Sequence, residues 1–281
     1  MRLVLVLAMM VRSAYADPAA DANKAMQAFV DAAAAKKLPA DVDTFIGPAD
    51  NPEQETADLD DVLKIVPRPK LKIVSTHVAK SGTAAWIIAQ VSGAKYSPEW
   101  GKTSTAPLRA SAFLTLDNGA WHVRAAHWSG GKNNQKAVEG CGLIDPAFRV
   151  PAAIGKGAAP AVKVIKDAFG GMYDGNGTSA QIIAALSDDK GAQMFGSAPS
   201  ENFTGSAAIK NVFKKWKIDL YADDGEHTRA GIAPGGDLAW VAMDITTMWM
   251  CTSYRALFVL QKEGSAWKIV HQHYSEWVIA P

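Results

Sequence analysis

The sequence lacks an excess of either charge, and this absence excludes several classes of protein. Its 281 residues carry 29 lysines and arginines against 28 aspartates and glutamates. A formal charge of +1 gives none of the basic character on which nucleic-acid-binding proteins depend. Charged residues make up 20% of the chain and apolar residues 48%, a composition typical of globular rather than disordered proteins. We therefore expect a folded chain with no nucleic-acid partner.

Cysteine is scarce, and the common catalytic motifs are missing. Cys141 and Cys251 are the two cysteines of the chain, too few to staple a small disulfide-rich fold. They could pair in an oxidising compartment or remain two buried thiols, and the sequence leaves both alternatives open. The sequence contains no P-loop, dinucleotide fingerprint, HEXXH motif or nucleophile elbow. We accordingly predict no cofactor.

Long apolar runs are absent except near the N-terminus. Residues 1–16 place Arg2 before an apolar run from Leu3 to Val11, and Ala14-Tyr15-Ala16 follows as a small-x-small site. The run is shorter than the about 20 residues that span a membrane, and the pattern is typical of a cleaved secretory signal. The alternative is an ordinary N-terminal helix. The pattern predicts a secreted or periplasmic protein with no membrane association after cleavage.

The most informative feature that the sequence does contain is an internal repeat. Residues 108–129 (LRASAFLTLDNGAWHVRAAHWS) align without a gap with residues 254–275 (YRALFVLQKEGSAWKIVHQHYS). Upstream, AAWIIAQVS at 84–92 corresponds to LAWVAMDIT at 238–246. Identical pairs include Trp86 and Trp240, Arg109 and Arg255, Trp121 and Trp267, His127 and His273, and Ser129 and Ser275. The repeat predicts a tandem duplication, with domains at 20–131 and 158–281 and a linker at 132–157.

Each copy begins with helical spacing of apolar residues and continues in strands. Ser206 is the predicted N-cap of a helix in the second copy. The later segments are rich in β-branched and aromatic residues, and the last two flank Gly264 as a hairpin. Helices followed by an antiparallel sheet predict an α+β fold. The helical spacing is carried by Ala22, Ala25, Met26, Phe29 and Ala33 in the first copy, and by Val162, Ile165, Phe169 and Met172 in the second.

The second copy resembles a SnoaL-like domain of the nuclear transport factor two-like (NTF2-like) superfamily. The first copy keeps the repeated Trp, Arg, His and Ser positions but lacks the SDDKGAQMFGSAP segment, so it resembles a diverged member. The resemblance implies two cones, each a curved antiparallel sheet packed on N-terminal helices around a pocket. It is carried by LSDDKGAQMFGSAP (186–199), Gly205, DLAW (237–240), YRALFVLQKEG (254–264) and WKIVHQHYS (267–275).

The superfamily leaves the function open, because fold does not decide chemistry. Its members include ketosteroid isomerase-like and cyclase-like enzymes, dehydratases, and binding domains with no chemistry. We expect a non-catalytic module that binds a small apolar or acidic ligand, or a partner. The alternative is an isomerase-, cyclase- or dehydratase-like enzyme that uses the second copy. Because members often pair through the open sheet face, the two copies are expected to form a pseudo-dimer within one chain.

Strand alternation predicts which side chains share a face. If Leu260 pairs with Lys268, then Arg255 lies opposite His273. The same offset places Arg109 opposite His127 in the first copy. An Arg beside a His could form a cationic wall for a carboxylate or phenolate ligand, or both side chains could bond backbone carbonyls or a helix end. The alternation itself places on one face Trp267, Ile269, His271, His273 and Ser275.

The candidate catalytic residues are Asp244, His271 and His273. A carboxylate in an apolar pocket can act as a general base, and a neighbouring histidine can act as the acid. The alternative for Asp244 is a solvated position at a pocket rim. His271 and His273 could also bind a metal with Glu276 or Asp244, but three ligands are not evident and no metal is predicted. The candidate ligand-pocket residues are Trp240, Arg255, Trp249, His127 and Arg109.

Overall fold

The computed structural model describes most of both repeat copies. The predicted signal peptide, Trp249 and both cysteines lie outside the described residues. Among the helices that are described, none has the length and apolar character needed to cross a bilayer. The described ranges are 17–48, 55–56, 59–99, 102–130, 151–169, 179–216, 220–222, 227–247 and 252–278.

The described elements fall into two successive sets of helices and strands. The first set is α1 (Pro18–Ala34), β1 (Thr44–Pro48), β2 (Glu55–Thr56), α2 (Leu59–Ile65), β3 (Lys70–Val78), β4 (Ala84–Ser92), β5 (Tyr96–Glu99), β6 (Lys102–Ser104), β7 (Leu108–Asp117) and β8 (Ala120–Ser129). The second set is β9 (Ala153–Ile154), α3 (Ala159–Phe169), α4 (Ser179–Ala185), β10 (Gln193–Phe195), β11 (Asn202–Thr204), α5 (Ser206–Lys215), β12 (Leu220–Ala222), β13 (Arg229–Ile232), β14 (Leu238–Thr247), β15 (Thr252–Glu263) and β16 (Ala266–Val278).

The two main sheets have the same strand order. The first is β2-β1-β8-β7-β4-β3, and the second is β11-β10-β16-β15-β14-β13 with β9 added at its edge. The predicted α+β class is confirmed. The sheets are not wholly antiparallel as expected, since β1 runs parallel to β8, β10 to β16 and β9 to β13. None of these neighbours is joined by a hairpin, so no tight turn imposes the antiparallel direction.

The N-termini of α1 and α5 are set by the residues at their first turns. Asp17 caps α1 by accepting a hydrogen bond from the Ala19 N–H, and Pro18 occupies the first turn, where its missing donor costs nothing. The predicted N-cap of α5 is wrong. Gly205 holds that position with a φ of 90°, and Ser206 is the first helical residue. Its hydroxyl donates instead to the Ser187 carbonyl, at 2.6 Å.

Each sheet has one face on its helices and one face on the other sheet. In β14, Ala239, Val241 and Met243 belong to the cluster around α3 and α5, whereas Leu238 and Trp240 belong to a separate cluster between the sheets. The alternation of side chains along a strand produces both faces at once. The cluster between the sheets takes from the first half Ile46, Trp86, Ile88, Phe113 and Ala125, and from the second Phe195, Trp240, Leu257, Val259 and Val270.

Part of the segment predicted as a linker has a place in the second sheet. Residues 131–150 lie outside the described residues, whereas Ala153 and Ile154 form β9. Ala153 pairs with Arg229 and Ile154 with Ala230 in β13. The chain therefore enters the second half along the edge of its sheet.

Candidate functional site

The predicted pairing of arginine with histidine is wrong in both halves. Arg109 lies opposite Ser129, and Arg255 lies opposite Ser275. In the second half, Leu260 pairs with Ile269 rather than with Lys268. The actual hairpin is therefore offset from the predicted one already at its turn.

A β-bulge in each hairpin completes the difference. Arg124 in β8 and Val270 in β16 are extra residues, because the register shifts beside them in both hairpins. Beyond the extra residue, each side chain of the strand lies on the opposite sheet face from the one that simple alternation predicts. Ile269 accordingly packs with the helices, whereas His271 and His273 turn toward the other sheet. The predicted shared face of these residues is wrong for this reason.

His271 has a defined tautomer. Its Nδ1 lies 3.0 Å from the Gln193 carbonyl oxygen, which can only accept, so Nδ1 carries the hydrogen. In a neutral ring, Nε2 must then accept. Its partner is the Ser111 hydroxyl at 2.7 Å, which belongs to the first half. This contact joins the two sheets through a side chain from each.

The same reasoning fixes His273. Ser111 donates its hydrogen to His271, so its oxygen accepts from His273 Nδ1 at 2.9 Å. The Nε2 atom of His273 then accepts from the Ser129 hydroxyl at 2.8 Å. The Ser129 oxygen in turn accepts from Arg109 Nη2 at 3.1 Å. All donors therefore point in one direction, from Arg109 to the Gln193 carbonyl, provided that both histidines are neutral.

Burial keeps both histidines neutral. His271 is 1% exposed and His273 is fully buried. Desolvation lowers the pKa of His271 to about 3; the hydrogen bond to Gln193 opposes this effect, and the neighbouring His77 and His127 add to it. Desolvation also lowers the pKa of His273 well below its usual value, and electrostatic interactions with His127, Arg109 and His271 lower it further.

Aromatic contacts enclose the histidines between the sheets. His127 stacks on His273 with ring centroids 4.0 Å apart, and its Nε2 bonds the Ser275 hydroxyl. Trp86 stacks on His271 at 5.3 Å, and the edge of Phe195 meets both imidazoles. These contacts place the predicted catalytic histidines inside a packed layer.

Asp244 lies apart from the two histidines. It pairs across β14 and β15 with Arg255, and Asp244 Oδ1 lies 3.1 Å from Arg255 Nη1. The two side chains are 12% and 6% exposed. Strand β15 separates Asp244 from His271 and His273 on β16. The carboxylate therefore serves a buried ion pair, and its predicted use with a histidine stays a prediction.

Arg109 connects the two halves rather than lining an open pocket. Its Nη1 donates to the Ala198 carbonyl at 3.0 Å and lies 3.4 Å from the Glu201 carbonyl oxygen. Its guanidinium also lies 5.4 Å from the centre of the Phe195 ring. These contacts favour the backbone-bonding alternative for this arginine.

Among the residues that the structure describes, a cleft lies on either side of the layer between the sheets. The larger has a volume of about 430 Å³ and the smaller about 380 Å³. Side chains from both halves line each of them. Lining the larger cleft are Asp43, Thr115, Asp117, Arg124, Lys156, Arg229, Ile232 and Trp240. Lining the smaller are His77, Lys80, Trp86, Asp189, Asp237, Gln261, Lys262 and Glu263.

The clefts occupy corresponding places in the two sheets. Trp240 lines the larger cleft, and its repeat counterpart Trp86 lines the smaller one. Thr115 and Asp117 likewise correspond to Gln261 and Glu263. Trp240 is thus the predicted pocket residue that the structure places on a sizeable cleft. Of the others, Arg109, His127 and Arg255 lie between the sheets, and Arg255 borders a cavity of about 20 Å³.

The strand order and the buried sheet face can be compared with known families. Residues 176–281 match the SnoaL-like domain model. This match covers the second half from before α4 through β16. The resemblance inferred for the second copy is therefore confirmed over those residues. Comparison with curated proteins found no match.

Solved structures are similar to part of the chain. One is an NTF2-like protein of unknown function from Pseudomonas putida KT2440, at 18% identity, covering 42% of this chain and 84% of its own, with a TM-score of 0.35. Another is a cystatin-like fold protein from Burkholderia xenovorans LB400, at 15% identity, 43% and 92% coverage and a TM-score of 0.32. An NTF2-like protein of unknown function from Shewanella oneidensis MR-1 has 12% identity, 42% and 97% coverage and a TM-score of 0.32.

Several residues around the SnoaL-like sheet were not anticipated from the sequence. Ser111 bonds both histidines, but its repeat counterpart is Leu257, so comparison of the copies gave no signal for it. The position of Arg124 could not be predicted, because nothing in the sequence marks the β-bulge in which it lies. Arg229 lies in a short strand beside the cleft, and the matching position in the first half is Ser75, so the repeat gave no signal for an arginine there.

Proposed function

We propose that the chain is a non-catalytic binding protein built from two SnoaL-like units that arose by tandem duplication. The equal strand order of the two sheets supports the duplication. So do the bulges, since Arg124 and Val270 stand at the same repeat offset as the aligned segments. The signal peptide at residues 1–16 and export from the cytoplasm remain part of this proposal on the sequence pattern alone.

The two units pair through their sheets within one chain. Support comes from the side chains that cross between the sheets: Ser111 and Ser129 bond histidines of the second half, and His127 bonds Ser275. Apolar residues from both halves surround these bonds. A pair joined in this way buries the sheet face that a single unit would otherwise expose to water.

One observation carries the non-catalytic proposal: His271 and His273 are 0–1% exposed and all four of their ring nitrogens are used in bonds to Ser111, Ser129 and Gln193. A general acid or base must reach a substrate proton within hydrogen-bonding distance. A serine hydrogen-bonded to a histidine, as Ser111 is to His271, is the arrangement that activates a serine nucleophile. Ser111 is only 1% exposed, however, so a substrate could not reach its hydroxyl. Within the described residues, Ser111, His271 and His273 are therefore better suited to holding the two sheets together than to catalysis.

A small acidic or apolar molecule is the proposed ligand. The clefts of about 430 and 380 Å³ have the size of small-molecule sites and contain several charged side chains. The experiment is native and denaturing mass spectrometry of the purified full chain. We expect a stoichiometric small molecule in the native spectrum that is released on denaturation.

The enzyme alternative is tested alongside with a β,γ-unsaturated ketosteroid as the probe for isomerisation. Asp244→Asn and His271→Gln are the relevant variants, and circular dichroism establishes whether they fold. Turnover that disappears in folded variants would overturn the non-catalytic proposal. A chain that retains no molecule and turns over no ketosteroid would leave only the pairing of the two units and would overturn ligand binding.

A further inference from the structure

The cavity of about 20 Å³ beside Arg255 lies between the two halves of the chain. A space of this kind needs roughly 10–15 Å³ to hold one water molecule, so the cavity has room for a single particle of about that size. It shares Arg229 with the larger cleft and no residue with the smaller one. Lining it are Thr44 and Ile46 from the first half, and His227, Arg229, Ala242, Met243, Asp244 and Arg255 from the second.

Arg229 brings to this cavity a charge that is not held in an ion pair. The side chain donates one hydrogen bond, from Nη1 to the Pro151 carbonyl at 3.2 Å. Its Nε is buried and has no hydrogen-bond partner among the described residues. Asp43, on the larger cleft, is the carboxylate that interacts with Arg229 over a longer distance; burial raises its pKa, and Arg124 and Arg229 oppose that effect. A buried N–H group costs free energy unless a partner occupies the space beside it.

The other charges of the lining cancel each other. Asp244 Oδ1 lies 3.1 Å from Arg255 Nη1, and the two side chains are 12% and 6% exposed. With Arg229 included, the lining has two guanidinium groups against one carboxylate, a balance of +1. Because charges interact more strongly where water is excluded, such a lining favours an anion over a neutral particle.

The corresponding place on the other side of the layer is occupied by the chain itself. By strand pairing, Gln193 stands where Thr44 stands in the first half, and Ser75 stands where Arg229 stands in the second. There the Gln193 side chain crosses between the halves, and its Nε2 donates to Ser75 Oγ at 3.1 Å. Thr44 is shorter and has no amide. The cavity is therefore the space that a polar side chain occupies on the other side.

We propose that this cavity binds one monatomic anion, a halide such as chloride, between Arg229 and the Asp244–Arg255 ion pair. The volume admits a monatomic ion and excludes carboxylates and phosphates, which consist of several heavy atoms. The arginines and the Thr44 hydroxyl can donate hydrogen bonds to it. This site goes beyond the small-molecule binding proposed for the clefts, because the anion would join residues of both halves inside the protein.

Bromide-soaked crystals of the full chain test the site directly, because bromide scatters anomalously at an accessible X-ray wavelength and water does not. We expect one anomalous peak in the cavity between Thr44, Arg229 and Arg255. The decisive variant is Thr44→Gln, which copies the arrangement of Gln193 on the other side of the layer. Its amide should fill the cavity and remove the bromide peak while both arginines remain.

Thermal unfolding gives the matching measurement in solution, with sodium chloride compared with sodium gluconate at equal ionic strength. We expect a midpoint about 2 °C or more higher in chloride at about 0.15 M, because an ion that binds the folded chain alone stabilises it. Arg229→Gln and Thr44→Gln should each abolish that shift. Lys156→Gln is the matched control, since it removes the same unit of charge from an exposed residue outside the cavity, and it should keep the full shift.

A bromide-soaked crystal with no anomalous peak in the cavity, or with a water molecule there, would overturn the anion site. Equal midpoints in chloride and gluconate would do the same, as would a loss of the shift in Lys156→Gln equal to that in Arg229→Gln. If Arg229→Gln does not fold, Thr44→Gln decides: a chloride shift as large as that of the unchanged chain would remove the ion from this cavity. None of these results depends on the small molecule proposed for the clefts.

Discussion

Mild acidification should separate or unfold the layer between the two sheets. His271 and His273 are neutral in the folded chain, because each accepts a hydrogen bond at Nε2 from a buried serine and each is enclosed on all sides. In the unfolded chain both rings are solvated and titrate near pH 6.5. Since the folded pKa of each is lowered, the unfolded chain binds more protons below pH 6.5.

The size of the effect follows from proton linkage. Each such group removes roughly 1.4 kcal/mol of unfolding free energy per pH unit, starting below the unfolded pKa of about 6.5 and ending at the folded pKa. For His271 that lower limit is about 3. His273 acts in the same direction. Because each ring is only half protonated in the unfolded chain at pH 6.5, we expect the two together to remove about 2 kcal/mol between pH 6.5 and 5.5, and almost nothing above pH 7.

The assay is urea unfolding of the full chain at pH 7.5, 6.5 and 5.5. His271→Gln removes one titrating ring while keeping an amide that can bond Ser111, and should reduce the loss between pH 6.5 and 5.5 by roughly 1 kcal/mol. His122→Gln is the control for the loss of a histidine outside the layer, since His122 lies in a partly exposed pair with Asp41. A wild-type slope below about 0.5 kcal/mol per pH unit over this range would refute the reasoning.

Three further predictions concern single contacts and use the same unfolding assay. Asp244→Ala should destabilise the chain by about 3 kcal/mol because it leaves Arg255 buried without its carboxylate, whereas the double variant Asp244→Leu/Arg255→Met should cost clearly less. Gly231→Ala should cost about 1–3 kcal/mol, since its Cβ would lie 2.4 Å from Trp240 Nε1; an unchanged midpoint would mean that the indole moves freely. Ser111→Ala should cost about 2–3 kcal/mol by leaving two buried histidine nitrogens unbonded, and Ser111→Thr should restore part of that loss.

Most of the fold could be predicted from the internal repeat. Because Trp86 and Trp240, and Arg109 and Arg255, recur in one order, the sequence predicted two similar sheets, and both sheets show the same strand order. Helix α1 also lies where its apolar spacing placed it. These features depend on patterns that extend over many residues, and tertiary packing does not easily override such patterns.

The register of the second hairpin depended on its turn and on one bulge residue, and the sequence revealed neither. A bulge at Val270 changes which face His271 occupies, and alternation beyond that point is inverted. No residue type marks a bulge reliably, since Arg124 and Val270 differ completely in character. The prediction therefore named the right candidates in His271 and His273 but assigned them to the wrong neighbours and to an open pocket.

The layer between the sheets also explains why the two copies differ where they do. A homodimer repeats every contact across its two-fold axis, so its two sides are identical. In this chain the two sides need not match, and Gly231 faces Trp240 on one side where His77 faces Trp86 on the other. Arg124 likewise borders the larger cleft, whereas the matching bulge residue is apolar and buried in the layer. Covalent linkage of the units therefore permits the two sides to carry different residues, a glycine against one tryptophan and an imidazole against the other.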